Sequence, residues 1–279
     1  MSGHSDRADK PMTLCLVGAG NMGGAMLRGW LEAGTDPALI TVLDPSPPSA
    51  MVDLLATYNV RHVTDAAHVG VVDFVLVAVK PQIIETVLKG LEPLIGSETV
   101  LASVAAGTLI AQLEAAFAGK ASRIIRVMPN TPALIGQAIS VCVANEGVTP
   151  QQRDTVTGLL EAIGEVAWVE DEALIDAVTG VSGSGPAYVF YLAEALAAAG
   201  EAAGLPAALA SQLAVATVAG AGNLLKQSHD DAATLRANVT SPNGTTQAAL
   251  EVLMADDGLG PLMKQAVAAA AKRSKELAG

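Results

Sequence analysis

Aromatic side chains make up only 3% of this 279-residue chain, so its core must be built from Ala, Val and Leu, and alanine-rich helices can pack closely. Charge is sparse too: 16% of residues are charged and 51% apolar, enough buried surface to offset ordering, which excludes disorder. Basic residues are outnumbered 16 to 28, giving a net charge of −12 and an isoelectric point near 4.7. A phosphate-backbone partner needs clustered Lys and Arg, so nucleic acid is not expected. The two cysteines, Cys15 and Cys142, each lie in an apolar run, are too few for a disulfide framework, and fit a reducing, cytoplasmic compartment. His4, His62, His68 and His229 form no pair at metal-ligand spacing, and no metal is expected. Asp73 within 71–79, and Glu194 and Glu201 within the alanine-rich segment, lead to the expectation that no apolar run is long enough to span a membrane. No G-x-S-x-G occurs, and Gly183-Ser184-Gly185 lacks the strand of a nucleophile elbow, so hydrolase chemistry falls away.

At roughly 150 residues per domain the length suggests about two domains. Residues 1–11 are polar and are expected to be a flexible leader. Short apolar runs at 13–17, 40–43, 60–63, 73–79, 99–104, 124–127, 139–144 and 165–169 predict strands, and helical patterns lie between most of them. Runs apolar on both faces suit a parallel sheet covered by helices on each side. From 172 onward the pattern is helical, over 172–181, 186–203, 206–225, 230–237, 244–254 and 261–277. The expected organisation is an α/β domain over 12–171 and an all-helical domain over 172–279.

Gly18-Ala19-Gly20-Asn21-Met22-Gly23 matches G-x-G-x-x-G. Its weight comes from context, since it follows a predicted strand and opens a predicted helix at the head of a βαβ series. Gly18 permits the tight turn, Gly20 lets the backbone approach a pyrophosphate, and Gly23 brings helix and strand together, with unpaired helix N–H groups facing the anion. A dinucleotide is expected. Asp44, 21 residues past Gly23, is placed to accept from a ribose 2′-OH, which favours NAD, whereas Ser46 is placed to donate to a 2′-phosphate. Asp44 could equally cap its turn, so these residues alone leave NAD and NADP open.

Ser241-Pro242-Asn243-Gly244-Thr245-Thr246 precedes an apolar helix, where backbone N–H donors at a positive helix end form a socket for a small carboxylate. Ser241 or Thr245 acting as an N-cap, worth about 1 kcal/mol, is the plainer reading, and cap and socket can coexist. Lys80-Pro81 ends the fourth strand, where ligands collect in open α/β sheets, although a strand-end lysine is often simply solvated. Arg123 and Arg126 flank the strand before Met128-Pro129-Asn130 and serve either phosphate contact or, more commonly, solubility.

Taken together, five segments resemble those of the pyrroline-5-carboxylate reductases, in that family's order and spacing. They are Val17 to Gly23, Ala78-Val79-Lys80-Pro81, Arg126-Val127-Met128-Pro129-Asn130-Thr131-Pro132, Gly180 to Tyr188, and Ser241 to Thr246. The resemblance implies a Rossmann-type doubly wound domain followed by an all-α dimerisation domain like the C-terminal domain of 6-phosphogluconate dehydrogenase. It further implies an active site between cofactor and helical domain, homodimers, and assembly into larger rings up to a decamer. The implied activity is that of an NAD(P)H-dependent oxidoreductase that reduces L-1-pyrroline-5-carboxylate to L-proline, the last step of proline biosynthesis. Substrate binding is implied for Ser241, Asn243, Gly244, Thr245 and Thr246, with backbone N–H groups on the carboxylate and Thr246 on the ring nitrogen as the catalytic contact. Cofactor binding is implied for Gly18, Gly20, Asn21, Met22, Gly23, Ser46, Lys80, Pro81, Asn130 and Thr131, the last two beside the nicotinamide. The loop at 44–46 resembles members that take NADPH, while Asp44 leaves NADH open. Asn243 stands where the family commonly has glycine; if that position needs a positive φ, asparagine is the least costly replacement.

Two rival readings share the layout. A β-hydroxyacid-type dehydrogenase would need a catalytic lysine in the helical domain, for which Lys226 is the nearest candidate. A non-catalytic NAD(P)-sensing dimer would need no carboxylate socket.

Overall fold

A computed structural model of the chain describes residues 11–117, 120 and 122–278, so all but Pro11 of the expected leader lies outside the described residues. Eight strands form one sheet: β1 (Leu14–Val17), β2 (Ile40–Leu43), β3 (Arg61–Val63), β4 (Phe74–Val77), β5 (Val100–Ser103), β6 (Arg123–Met128), β7 (Ala138–Ala144) and β8 (Gly164–Trp168). Their order is β3-β2-β1-β4-β5-β6-β7-β8, so the winding reverses beside β1. Every residue of β1, β2, β4 and β5 is buried, as expected of strands covered on both faces. Neighbouring strands are parallel except β6 and β7, which are antiparallel. The parallel sheet expected from the apolar runs therefore holds apart from this one pair. Only residues 129–137 join β6 to β7, too few for the crossover a parallel pair requires.

Helices α1 (Asn21–Glu32), α2 (Ser49–Tyr58), α3 (Ile84–Gly90), α4 (Ile110–Ala116) and α5 (Pro150–Glu161) connect the strands. Under one face of the sheet Met26, Leu27, Trp30, Leu55 and Leu160 form a core with Leu14, Leu16 and Leu76. Trp30, 1% exposed, also donates its indole N–H to the Leu159 carbonyl at 2.9 Å, so α1 and α5 are tied by a satisfied polar contact. The other face packs Leu88, Leu91 and Leu113 on Val17, Val75 and Leu101. Thr149 and Gln152 form a capping box around Pro150 at the start of α5.

The helices that follow are α6 (Leu174–Val178), α7 (Gly185–Ala202), α8 (Ala207–Gln227), α9 (Ala232–Asn238), α10 (Thr245–Leu253) and α11 (Leu259–Ala278), with a π-helical turn over Thr179–Gly183 between α6 and α7. The chain forms two compact units, one of residues 1–183 with 271–279 and one of residues 184–270. The boundary placed near 171 marks the end of the sheet; the next twelve residues stay with the first unit for identifiable reasons. Glu172 accepts from Arg126 Nη1 at 3.0 Å and from the Ile110 N–H at 2.9 Å. Arg126, 3% exposed, is therefore an internal ion-pair partner, neither a solubilising charge nor a free phosphate ligand. Arg123 bonds the Ser97 carbonyl and the Glu98 carboxylate. The C-terminal turns return to the same unit through Ser274 Oγ, which donates to Asp176 Oδ1 at 2.7 Å, and Gln112 Nε2, which donates to the Ala278 carbonyl at 3.2 Å.

Within the second unit, Ala210 and Ala214 are the buried residues among those described, while Phe190, Tyr191, Leu213, Val215 and Val252 are exposed. The pairing of α7 with α8 is close because Gly200 faces Ala210, where a Cβ would come within 3.2 Å of the alanine methyl. One expectation fails here: residues 202–225 carry no charge, since Glu201 and Lys226 flank the run rather than interrupt it. Helix α8 is long and apolar enough, by length and composition alone, to cross a membrane.

Burial pushes the Cys15 and Cys142 thiols up to about 12. The thiolate is the reactive species, so iodoacetamide in mildly alkaline buffer should add nothing to the native chain and two groups after unfolding, read by intact mass. Rapid native modification of either residue would contradict this packing.

Candidate functional site

The turn from β1 into α1 is shaped by atoms that leave no room for side chains. Gly18 has φ 90°, and a Cβ there would sit 2.8 Å from Val79 Cγ1 and 2.9 Å from the Ala78 carbonyl oxygen. A Cβ on Gly23 would lie 2.0 Å from the Gly18 carbonyl oxygen, so the first turn of α1 rests directly on the strand end. Gly20 differs: nothing stands within 4 Å of where its Cβ would be. It is the N-cap of α1, makes no side-chain cap bond, and no acidic residue occupies the first turn. Asn21 is exposed and Met22 half-buried in that turn, with the N-terminal amides uncapped by any side chain. An open glycine beneath an uncapped helix end is a cradle for a phosphate group.

A cavity of about 880 Å³ lies where the strand order reverses, lined by Gly18, Gly20, Asp44, Val79, Lys80 and Thr86 among others. Position and size both suit a nucleotide in a doubly wound sheet, and the residues fit a dinucleotide. Lys80 is exposed on this cavity and precedes the 3₁₀ turn Pro81–Ile83; Pro81 lines the adjoining groove. Ser46 is exposed beside the lining residue Pro45, and its N–H donates to Asp44 Oδ1 at 2.8 Å. Asp44 Oδ2 accepts from the Ala19 N–H at 2.7 Å, inside the glycine turn. Thr64, Asp65, Ile83 and Val87 also line it; sequence reasoning passed over them, although Thr64 and Asp65 directly follow a predicted strand end.

Asn130 and Thr131 lie at the end of β6 and are not among the residues lining that cavity. Asn130 is 9% exposed and engaged at both ends: Oδ1 accepts from the Ile139 N–H at 3.0 Å, and Nδ2 donates to the Ser182 carbonyl at 3.2 Å in the π-helical turn. Thr131 is exposed at the head of the 3₁₀ turn Thr131–Ile135. Met128 fills the space a Cβ on Gly183 would need, at 2.5 Å, so that turn and the strand end are fitted to each other.

At the start of α10, Asn243 has φ 57°, a left-handed conformation that asparagine tolerates better than most residues. Its N–H donates to Gln247 Oε1 at 2.8 Å, and the Gly244 N–H donates to the Ser241 carbonyl at 3.0 Å. Gly244 is the N-cap with no side-chain cap bond, so neither Ser241 nor Thr245 serves as the cap. Among the described residues no side chain caps the first-turn amides of Thr245, Thr246 and Gln247, and no acidic residue shares that turn. Thr246 is half-buried there. This local geometry suits a small carboxylate. Lys226, the residue a β-hydroxyacid-type reaction would require, is in the last turn of α8.

Residues 172–277 match the family profile described as pyrroline-5-carboxylate reductase dimerisation, and residues 13–107 match that described as NADP oxidoreductase, coenzyme F420-dependent. A pyrroline-5-carboxylate reductase of Pseudomonas aeruginosa is 41% identical over 272 residues, covering 95% of this chain and 96% of that one. The solved structure of a pyrroline-5-carboxylate reductase from Coxiella burnetii aligns with a TM-score of 0.89 at 35% identity, over 97% of this chain and 100% of that chain. The chain belongs to the pyrroline-5-carboxylate reductase family. A Plasmodium falciparum pyrroline carboxylate reductase, solved with NADP bound, aligns at a TM-score of 0.81 and 28% identity over 96% of this chain and 98% of that chain.

In this chain the glycines of the turn separate into two kinds. Gly23→Ala should lower stability by about 1–3 kcal/mol, because the methyl meets backbone. Gly20→Ala should leave the melting temperature near that of the parent while weakening nicotinamide-nucleotide binding, because its methyl enters open space at the cradle. Thermal unfolding and nucleotide titration check both. Unchanged nucleotide affinity in Gly20→Ala, or unchanged stability in Gly23→Ala, would refute this division.

Proposed function

We propose that this chain reduces L-1-pyrroline-5-carboxylate to L-proline with NADPH as the preferred nucleotide, and that the start of α10 holds the substrate carboxylate. The observation that carries this reading is the uncapped end of α10 behind Asn243, where φ 57° turns the chain so that Thr245 and Thr246 open the helix. A carboxylate there receives N–H groups at the positive end of a nine-residue helix, and hydrogen bonds to a charged group contribute about 1.5–3 kcal/mol each. In this reading the Thr246 hydroxyl bonds the ring nitrogen and keeps the C=N carbon in register, Ser241 and Gly244 shape the loop, and Asn243 supplies its bend. The bound nucleotide supplies the hydride. Because the C=N carbon is already electrophilic, orientation by the chain provides most of the acceleration.

For the nucleotide, Gly18, Gly20, Asn21, Met22 and Gly23 form the pyrophosphate cradle, with Lys80 and Pro81 along the adjoining strand end. Ser46 faces the 2′-phosphate in this assignment. The NADP bound by the Plasmodium falciparum relative and the match to an NADP oxidoreductase profile support NADPH over NADH. Thr131 reaches the nicotinamide, and Asn130 acts beside it by fixing the loop through its two side-chain bonds.

The same reading divides the chain into a nucleotide-binding part, 12–171, and a substrate-binding and dimerisation part, 172–279. Homodimers follow from the apolar side chains exposed on α7, α8 and α10 together with the dimerisation profile; rings up to a decamer are the larger assembly we propose. Those exposed faces belong to a partner copy rather than to lipid, so α8 does not span a membrane in this reading. Buried, unpaired thiols support a cytoplasmic location.

Thr246→Ala tests the catalytic contact. Steady-state rates should fall on the order of a hundredfold in kcat, with a melting temperature close to the parent's, since Thr246 is not buried. Wild-type kcat and KM in that variant would remove Thr246 from the reaction.

A further inference from the structure

An acidic residue at the end of the second strand of a dinucleotide-binding sheet ordinarily reads the ribose 2′-OH and so disfavours a 2′-phosphate. Asp44 occupies that position, yet its carboxylate is engaged elsewhere. Oδ2 accepts from the Ala19 N–H at 2.7 Å and Oδ1 from the Ser46 N–H at 2.8 Å. Its backbone is fixed as well: the Asp44 N–H donates to the Val63 carbonyl at 3.1 Å, and the Asp44 carbonyl meets His62 Nε2 at 2.8 Å. Ala19 lies between Gly18 and Gly20 and is 1% exposed, so the donor end of this part-buried bond is sheltered from water.

We propose that Asp44 is a positioning residue whose carboxylate ties the glycine turn to the end of β2, and that it does not select between NADPH and NADH. This rests on the reading that the cavity takes a nicotinamide dinucleotide. The Ala19 N–H is directed at Asp44 and is thereby withdrawn from the phosphate, leaving the amides at the head of α1 as the anion donors. A turn with Gly18 at φ 90° and no side chains of its own to brace it needs an external anchor, and two charge-assisted bonds, one to each strap of backbone, provide it. The pyrophosphate is common to both nucleotides, so loosening this anchor affects them alike.

Asp44→Ala and Asp44→Asn test the proposal by titration of NADPH and NADH. For Asp44→Ala both dissociation constants should rise by about tenfold and their ratio should stay within about twofold, while Asp44→Asn, which keeps one acceptor, should show a smaller common rise. At saturating nucleotide kcat should change by less than about twofold, which separates a loosened cradle from a damaged reaction centre. NADPH binding held or tightened while NADH binding weakens would show that Asp44 reads the ribose and would overturn the proposal, as would unchanged affinity for both. Amide exchange at Ala19 in the nucleotide-free chain is the second measurement. It should be slow in the parent and faster in Asp44→Asn; equal rates would overturn the anchor whether or not Asp44→Ala folds. A parent chain that binds neither nucleotide would count against the nucleotide reading of the cavity, while the exchange rates would still decide the role of Asp44.

Discussion

The contact between Gly23 and the Gly18 carbonyl governs this molecule. With 2.0 Å available to a Cβ, no residue but glycine lets α1 leave the sheet so close to the strand that launched it. That departure sets α1 over the core around Trp30, places the helix end above the winding reversal, and leaves Gly20 facing open space. Fold and nucleotide cradle are consequences of one steric constraint, which is why a packing change at Gly23 and a binding change at Gly20 are separable.

A second theme is that the segments carrying the family's motifs are braced by bonds between residues far apart in sequence. Asp44 braces the glycine turn, Asn130 joins β7 to the π-helical turn, and Arg126 joins β6 to Glu172, which in turn holds the start of α4. π-Helical turns recur at functional sites. Here the turn carries the segment Gly180 to Gly183, whose position is fitted to Met128 by the absence of a side chain at Gly183.

Much of this was legible before any coordinates. The strands show as apolar runs because both faces of the sheet are covered, and Gly18, Gly20 and Gly23 show as a motif because their spacing follows from one turn. For Asn243 the resemblance to the family only posed the question of a positive φ, and the backbone answers it with φ 57°. Other features depend on partners that local pattern does not reveal. Apolar alternation carries no direction, so the antiparallel β7 was hidden; only the short linker at 129–137 hinted at it. The helix expected over 172–181 breaks into α6 and a π turn where Asn130, 52 residues away, takes up the Ser182 carbonyl. The role of Arg126 was hidden for the same reason, because a charge near a strand end reads as solvated until Glu172 is found beside it. At the start of α10, hydroxyl residues suggested a side-chain cap, but Gly244 occupies the cap position and the hydroxyls do not close the helix end.

The reaction itself is most directly tested by tracing the hydride. The chain is mixed with L-1-pyrroline-5-carboxylate and NADPH carrying deuterium at the transferable position, and the product is analysed by mass and chirality. The expected result is L-proline with a single deuterium at C5, formed in step with nucleotide oxidation. Nucleotide that binds but is not consumed in the presence of the imine, or proline without the label, would contradict reduction by this chain.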